Sequence, residues 1–185
     1  MDDAAKKNPG RMSCVLGLEE QAVGEICLKT GCQVANLNCP GQVVISGRQD
    51  SLDKASVSAM ALGAKRVISL DVSGAFHSSH MDEAALKLEE EIQKVKFRKP
   101  ACPIISNVDA EEQNDPEQIK LNLIKQVNSP TFWAKSMNYL LSKGVDSFYE
   151  IGPGSVLKGL FKKINPDVKV VNFGKLSDFG NLAQA

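Results

Sequence analysis

Pro40-Gly41, within Asn38-Cys39-Pro40-Gly41, is the punctuation that most restricts this chain. Proline and glycine in succession mark a turn, and here they separate two apolar-rich runs at residues 33–37 and 42–46, which reads as two strands joined by a short connection. The neighbouring segments fall into place around that hairpin. Residues 11–16 form a strand candidate, and residues 18–30 show helical spacing at Ala22, Val23, Ile26 and Cys27 before Gly31 stops them. Residues 49–62 read as a second helix ending at Gly63, and residues 65–72 as a strand. The order strand-helix-strand, strand-helix-strand predicts a ferredoxin-like βαββαβ small domain over residues 10–74.

The pattern changes in residues 75–185. Residues 79–95 predict a long amphipathic helix carrying Leu86, Leu88 and Ile92 among many charges, and residues 103–108 a short buried strand. Asp115-Pro116-Glu117 opens a helix in which proline suits the first turn. Ser129-Pro130-Thr131-Phe132-Trp133 starts another that runs to residue 142. Strands at 147–151 and 168–173 flank the turn Gly152-Pro153-Gly154 and a helix at 156–163. Alternating strand and helix implies a parallel sheet covered by helices, so the fold class is α/β throughout.

Composition excludes several classes. Lysine plus arginine balances aspartate plus glutamate, 22 against 22, which removes any electrostatic case for nucleic acid or a membrane surface. An RNA-binding sheet would also carry aromatic residues, and residues 33–37 and 42–46 have none. The basic run Lys94-Val95-Lys96-Phe97-Arg98-Lys99 reads as a solvated helix end. Five cysteines include no C-x-x-C pair, and two histidines add no zinc spacing, so no metal site is expected. Cys14, Cys27, Cys32 and Cys102 lie in apolar stretches and read as small buried hydrophobes, with Cys39 in a loop, which suits a reducing compartment. No apolar run approaches the roughly 20 residues of a membrane span. Met1-Asp2-Asp3-Ala4-Ala5-Lys6-Lys7 lacks the core of a signal peptide, so a bacterial-type cytoplasmic location is expected, or an organelle where a preceding segment supplies the address.

Chemistry concentrates at Ser73-Gly74-Ala75-Phe76-His77-Ser78, between a strand-like run and a helix-like one. His77 there is either a structural histidine or a general base on a loop with rigid flanks. A nucleophile to match is missing: no G-x-S-x-G elbow occurs, and no cysteine has a comparable setting. Gly152-Pro153-Gly154-Ser155-Val156-Leu157-Lys158-Gly159 lacks the Gly-Lys-Ser/Thr ending of a phosphate loop and reads as a strand-to-helix turn, whose helix N-terminus could still hold an anion or a carbonyl oxygen.

Four pieces occur in the order and spacing of one family: Asn36-Leu37-Asn38-Cys39-Pro40-Gly41-Gln42-Val43-Val44-Ile45-Ser46-Gly47, Val72-Ser73-Gly74-Ala75-Phe76-His77-Ser78, Ile105-Ser106-Asn107-Val108-Asp109 and Tyr149-Glu150-Ile151-Gly152-Pro153-Gly154-Ser155-Val156-Leu157. With Ser129-Pro130 and Phe132-Trp133, they make the chain, from about Met12 to its last strand, similar to the malonyl-CoA:acyl-carrier-protein transacylases of fatty-acid synthesis. The resemblance implies an α/β-hydrolase-like domain, its C-terminal part here at 75–185, with the ferredoxin-like domain inserted. It implies ping-pong transfer of malonyl from malonyl-CoA through a seryl ester to the phosphopantetheine thiol of holo acyl carrier protein, with no covalently bound cofactor. The position matching His77 is the family's general base, oriented by a backbone carbonyl, here expected to be that of Phe132. Asn36, Asn38 and Gln42 match positions lining the substrate cleft, or serve turn chemistry. Phe76 is the type expected in malonyl-selective members, a steric filter worth about 1–3 kcal/mol.

Met1 aligns well inside the family pattern, so the oxyanion loop, the serine elbow and the carboxylate-binding arginine are absent from these 185 residues. Missing oxyanion donors alone would cost about 3 kcal/mol or more of transition-state stabilisation. The expectation is a C-terminal portion that is inactive by itself, with a non-catalytic carrier-protein-binding module as the alternative.

Overall fold

The computed structural model describes residues 1–178, and these divide into two compact units, Met1–Ser136 and the residues from Met137 onward. The expected second domain ends at 185, so its last residues, 179–185, lie outside the described part.

In the first unit, β1 (Arg11–Leu16), β2 (Gln33–Cys39), β3 (Gln42–Gly47) and β4 (Arg66–Ser69) form an antiparallel sheet in the order β2-β3-β1-β4. Period-two alternation sorts their side chains. Val15, Val43 and Ile45 join Val23, Ile26 and Cys27 of α2 (Glu20–Thr30) and Leu52, Ala55 and Ala59 of α3 (Gln49–Ala61) in the main core. Residues 23, 26 and 27 recur at helical spacing, which aims α2 at the sheet. Gly31 ends α2 at φ 78°, a left-handed conformation that only glycine adopts without cost. On the opposite face Met12, Cys14, Ala35 and Val44 form a second cluster against which Phe76 packs.

The edge strand β2 is covered where the site will lie. Leu37 N–H donates to the Thr131 carbonyl and Thr131 N–H to the Ala35 carbonyl, both at 2.9 Å. The segment leading into α6 (Trp133–Ser142) is thereby clipped onto the sheet.

Several expectations need correction. Residues 2–7 form a helix, α1 (Asp2–Lys7), whose Ala4 and Ala5 pack against Met81 and Ala84. The helix expected at 79–95 opens with a single 3-10 turn, Ser79–Met81, followed by α4 (Asp82–Ile92). The strand expected at 103–108 shrinks to β5 (Ile104–Ile105), antiparallel to an unforeseen β6 (Glu112–Gln113), because the chain reverses through a turn that Ala110 N–H closes on Ser106. Ile104 is exposed there, and so is Cys102, whereas Cys39 is buried at the end of β2. α5 (Pro116–Lys125) starts as expected, with the Asp115 carboxylate accepting from Gln118 N–H at 3.2 Å.

The second unit pairs β7 (Ser147–Ile151) with β8 (Lys169–Phe173) in parallel across α7 (Val156–Ile164). Phe148 packs against Phe161 in a tilted pair, ring centroids 4.4 Å apart. The N-terminus of α7 is already occupied. Glu150 accepts from Leu157 N–H at 2.9 Å and Lys158 N–H at 3.0 Å, so the anion expected at the Gly152–Gly154 turn is an internal carboxylate. No helix among the described residues is long and apolar enough to cross a membrane.

Candidate functional site

His77 lies in a loop that packing holds in place from behind. A Cβ on Gly10 would stand 2.6 Å from the Ala75 Cβ, and one on Gly74 would stand 2.7 Å from the Ala5 Cβ, so these backbones approach as only glycine allows. The Ser46 hydroxyl donates to the Phe76 carbonyl, and the Ser78 hydroxyl to that of Ala75. Ser78 Oγ also caps the 3-10 turn by accepting from His80 N–H. From β2, Gln33 grips the far side: its Oε1 accepts from Ser79 N–H at 2.7 Å and its Nε2 donates to Ser79 Oγ at 3.2 Å.

Between these anchors His77 adopts φ 56°, the left-handed region. Histidine visits it more readily than most residues, but the conformation still costs on the order of 1 kcal/mol and persists because its surroundings dictate it.

Among the described residues, the imidazole meets a backbone carbonyl. His77 Nδ1 lies 3.0 Å from the backbone carbonyl oxygen of Gln126. A carbonyl oxygen only accepts, so Nδ1 carries a hydrogen, and the tautomer that donates there has its lone pair on Nε2. Gln126 follows the last residue of α5, where helix carbonyls lack intrahelical partners, which is why this one is available.

This corrects the expected orienting group. The Phe132 carbonyl accepts from the Ser136 N–H and hydroxyl, both at 3.0 Å, and it is Gln126 that meets the histidine. No sequence signal singles out Gln126, since any carbonyl of that helix end has the same chemistry and packing alone selects it.

His77 opens onto a cleft of about 520 Å³ lined mainly by apolar groups, among them Cys27, Leu28, Val34 and Pro130, with Gln33, Asp82 and Asn128 as polar members. Burial first, and the neighbouring Cys32 second, push the Cys27 thiol up to about 12. That thiol is therefore no nucleophile at neutral pH. Among the described residues, no three of histidine, cysteine, aspartate and glutamate converge on a metal-binding geometry.

The remaining candidates are distributed unevenly. Phe76 stays beside His77, its ring packed between the cluster of Ala4, Ala5 and Met81 and that of Met12, Ala35 and Val44. Asn36, Asn38 and Gln42 sit half-buried on the β2–β3 hairpin and do not line the His77 cleft. Gln42 Oε1 accepts from the Cys39 thiol at 3.8 Å, as turn chemistry would have it, whereas Asn36 bridges in parallel to Thr131.

Residues 4–169 match the family model described as the acyl transferase domain. A malonyl CoA-acyl carrier protein transacylase of Staphylococcus aureus (strain MRSA252) is 42% identical over 183 residues, which is 96% of this chain and 59% of that protein. The crystal structure of MCAT from Streptococcus pneumoniae superposes with a TM-score of 0.93 at 34% identity, covering 100% of this chain and 61% of its own. A malonyl-transacylase solved in complex with its holo type II PKS acyl-carrier protein superposes at 0.92 with 28% identity, covering 98% and 62%. The chain thus spans about three-fifths of the length of the relatives it matches.

Proposed function

From the premise that this chain belongs to the acyl transferase domain family, we propose that it supplies the base half of a malonyl transfer from malonyl-CoA to the thiol of holo acyl carrier protein. One observation carries the reading: His77 donates from Nδ1 to the Gln126 carbonyl at 3.0 Å and so presents a basic Nε2 beside a cleft. A backbone carbonyl here does what a carboxylate does in serine hydrolases, fixing tautomer and ring orientation.

The proposed steps are balanced in protons. His77 Nε2 takes the proton of a serine hydroxyl as the oxygen attacks the malonyl thioester. The tetrahedral intermediate expels the coenzyme A thiolate, which recovers that proton from the imidazolium. The carrier thiol then gives its proton to Nε2, attacks the seryl ester and leaves with malonyl, while the serine oxygen is reprotonated. No step needs a bound cofactor. The serine must come from outside these 185 residues, since no G-x-S-x-G is present, and the chain alone is expected to be inactive.

The domain reading belongs to the same proposal. The order β2-β3-β1-β4 supports a ferredoxin-like domain over residues 10–74, and the parallel β7–β8 pair supports a hydrolase-like sheet within 75–185. Phe76 beside the base is read as the filter against branched acyl groups, Asn36, Asn38 and Gln42 as contacts for the pantetheine arm, and the location as cytoplasmic. No observation separately favours a purely carrier-binding role.

Complementation tests the proposal. The chain is mixed with the separately made serine-bearing segment of the Staphylococcus aureus relative, and malonylation of holo carrier protein is followed by mass. Transfer should appear only in the mixture and vanish with His77→Asn. Undiminished transfer by the His77→Asn mixture would overturn the assignment.

A further inference from the structure

Resting on the reading of His77 as a base oriented by the Gln126 carbonyl, we infer that Asn122 is the positioning residue that holds that carbonyl in place. Asn122 is a polar residue 6% exposed in the last turn of α5. Its carbonyl accepts from Gln126 N–H at 2.9 Å, so the two residues share the turn that ends the helix. Its side chain makes three hydrogen bonds, two of them across to the preceding loop and one within α5. Nδ2 donates to Asp109 Oδ2 at 2.7 Å and to Ser106 Oγ at 3.1 Å, while Oδ1 accepts from Gln118 Nε2 at 3.1 Å.

The loop it grips is itself braced against the other neighbours of the base. Asp109 also accepts from Gln113 Nε2 and Glu111 N–H, each at 3.1 Å. Ser106 Oγ accepts from Val108 N–H at 3.2 Å. Between them, Asn107 accepts Phe132 N–H on its carbonyl at 2.8 Å and donates its Nδ2 to Gln126 Oε1 at 3.4 Å. Asn122 therefore ties the C-terminal turn of α5 to a loop that holds Gln126 by its side chain and the Phe132 segment by its backbone. A buried hydrogen-bonded network rigidifies the groups it joins, and this one fixes the direction of the Gln126 carbonyl. Buried asparagines that only stabilise would not need to sit one helical turn before the atom the base depends on.

The readout is the tautomer of His77, which a merely structural role leaves unchanged. The ¹⁵N-labelled chain is examined by long-range ¹H–¹⁵N correlation at a pH where imidazole is neutral, with His80→Gln removing the second histidine. The parent should show His77 protonated at Nδ1. Asn122→Ala should shift the population toward the Nε2–H form, while Asp109→Asn, which keeps an acceptor for Asn122, should retain most of the Nδ1–H form. A folded Asn122→Ala chain with the parent imidazole pattern overturns the inference, whatever its melting temperature. If Asn122→Ala does not fold, Asn107→Ala removes the exposed Asn107 link to Gln126, and an unchanged tautomer there overturns it equally. A parent chain already in the Nε2–H form would instead sink the underlying reading of the base.

Discussion

At the scale of single residues, His77 faces two demands that its neighbours separate cleanly. Its backbone sits at φ 56°, and its ring donates from Nδ1 to the Gln126 carbonyl. Asparagine tolerates the left-handed region, and a β-branched residue does not. His77→Asn is therefore expected to fold with nearly parental stability, whereas His77→Val should lose about 1–3 kcal/mol more in denaturant unfolding. Equal losses would show that the loop, and not the residue, chooses the conformation. In the complemented transfer assay both variants should fall by about 10²–10⁴-fold, the usual worth of a general base. His77 was singled out in the sequence because the motif that holds it stands in register with three others, but its strain was not legible. Nothing local distinguishes a left-handed histidine from an extended one when the constraint comes from Gly10, Gly74 and Ser46 elsewhere in the chain.

Elements show a similar division. The βαββαβ order was readable because period-two runs, helical spacing and glycine stops at Gly31 and Gly63 are local signals. The hairpin of β5 and β6 escaped because two-residue strands carry no period, and its turn is held by the buried Asn122 side chain of α5 through Ser106 and Asp109. That turn makes a pH prediction. Burial works to raise Asp109, but hydrogen bonds from Glu111 N–H and from the Asn122 and Ser106 side chains outweigh it and hold the carboxyl below its ordinary value near 3.8. A carboxyl lowered in the folded state contributes stability that is present above the unfolded value and lost as pH falls through the folded one. Unfolding free energy should thus decline as pH drops below about 4, and Asp109→Asn should flatten that part of the decline, measured by urea titration at several pH values. An unchanged slope in Asp109→Asn would remove the network's electrostatic contribution. At the other end of the segment, Asp115→Ala deletes the cap on Gln118 N–H and should cost about 1 kcal/mol by the same measurement.

For the molecule as a whole, cysteine supplies a probe spread across the sheet and its helices. Cys14, Cys27, Cys32 and Cys39 are buried and Cys102 is exposed. The sequence suggested the reverse for the last two, because Cys102 lies in an apolar stretch and Cys39 abuts a turn. Yet Cys39 closes β2 opposite Gln42 and is enclosed by the sheet, while the β5 hairpin beside Cys102 is too short to cover it. Reaction with a charged thiol reagent needs both access and thiolate. Burial denies the first to four thiols, and at about 12 the Cys27 thiol has almost no thiolate at pH 8. Native chain at pH 8 should therefore release one fast equivalent of reporter, lost in Cys102→Ser, and all five only in guanidinium. The slow equivalents report how often the sheet core opens, since a buried thiol reacts only from an opened state. If β1, β2 and α2 form one cooperative unit, Cys14, Cys27, Cys32 and Cys39 should share a single opening free energy and lose protection together as denaturant rises. Two or more fast thiols in the native chain, or four slow phases that separate with denaturant, would mean that these 185 residues do not hold the four-stranded sheet closed by themselves.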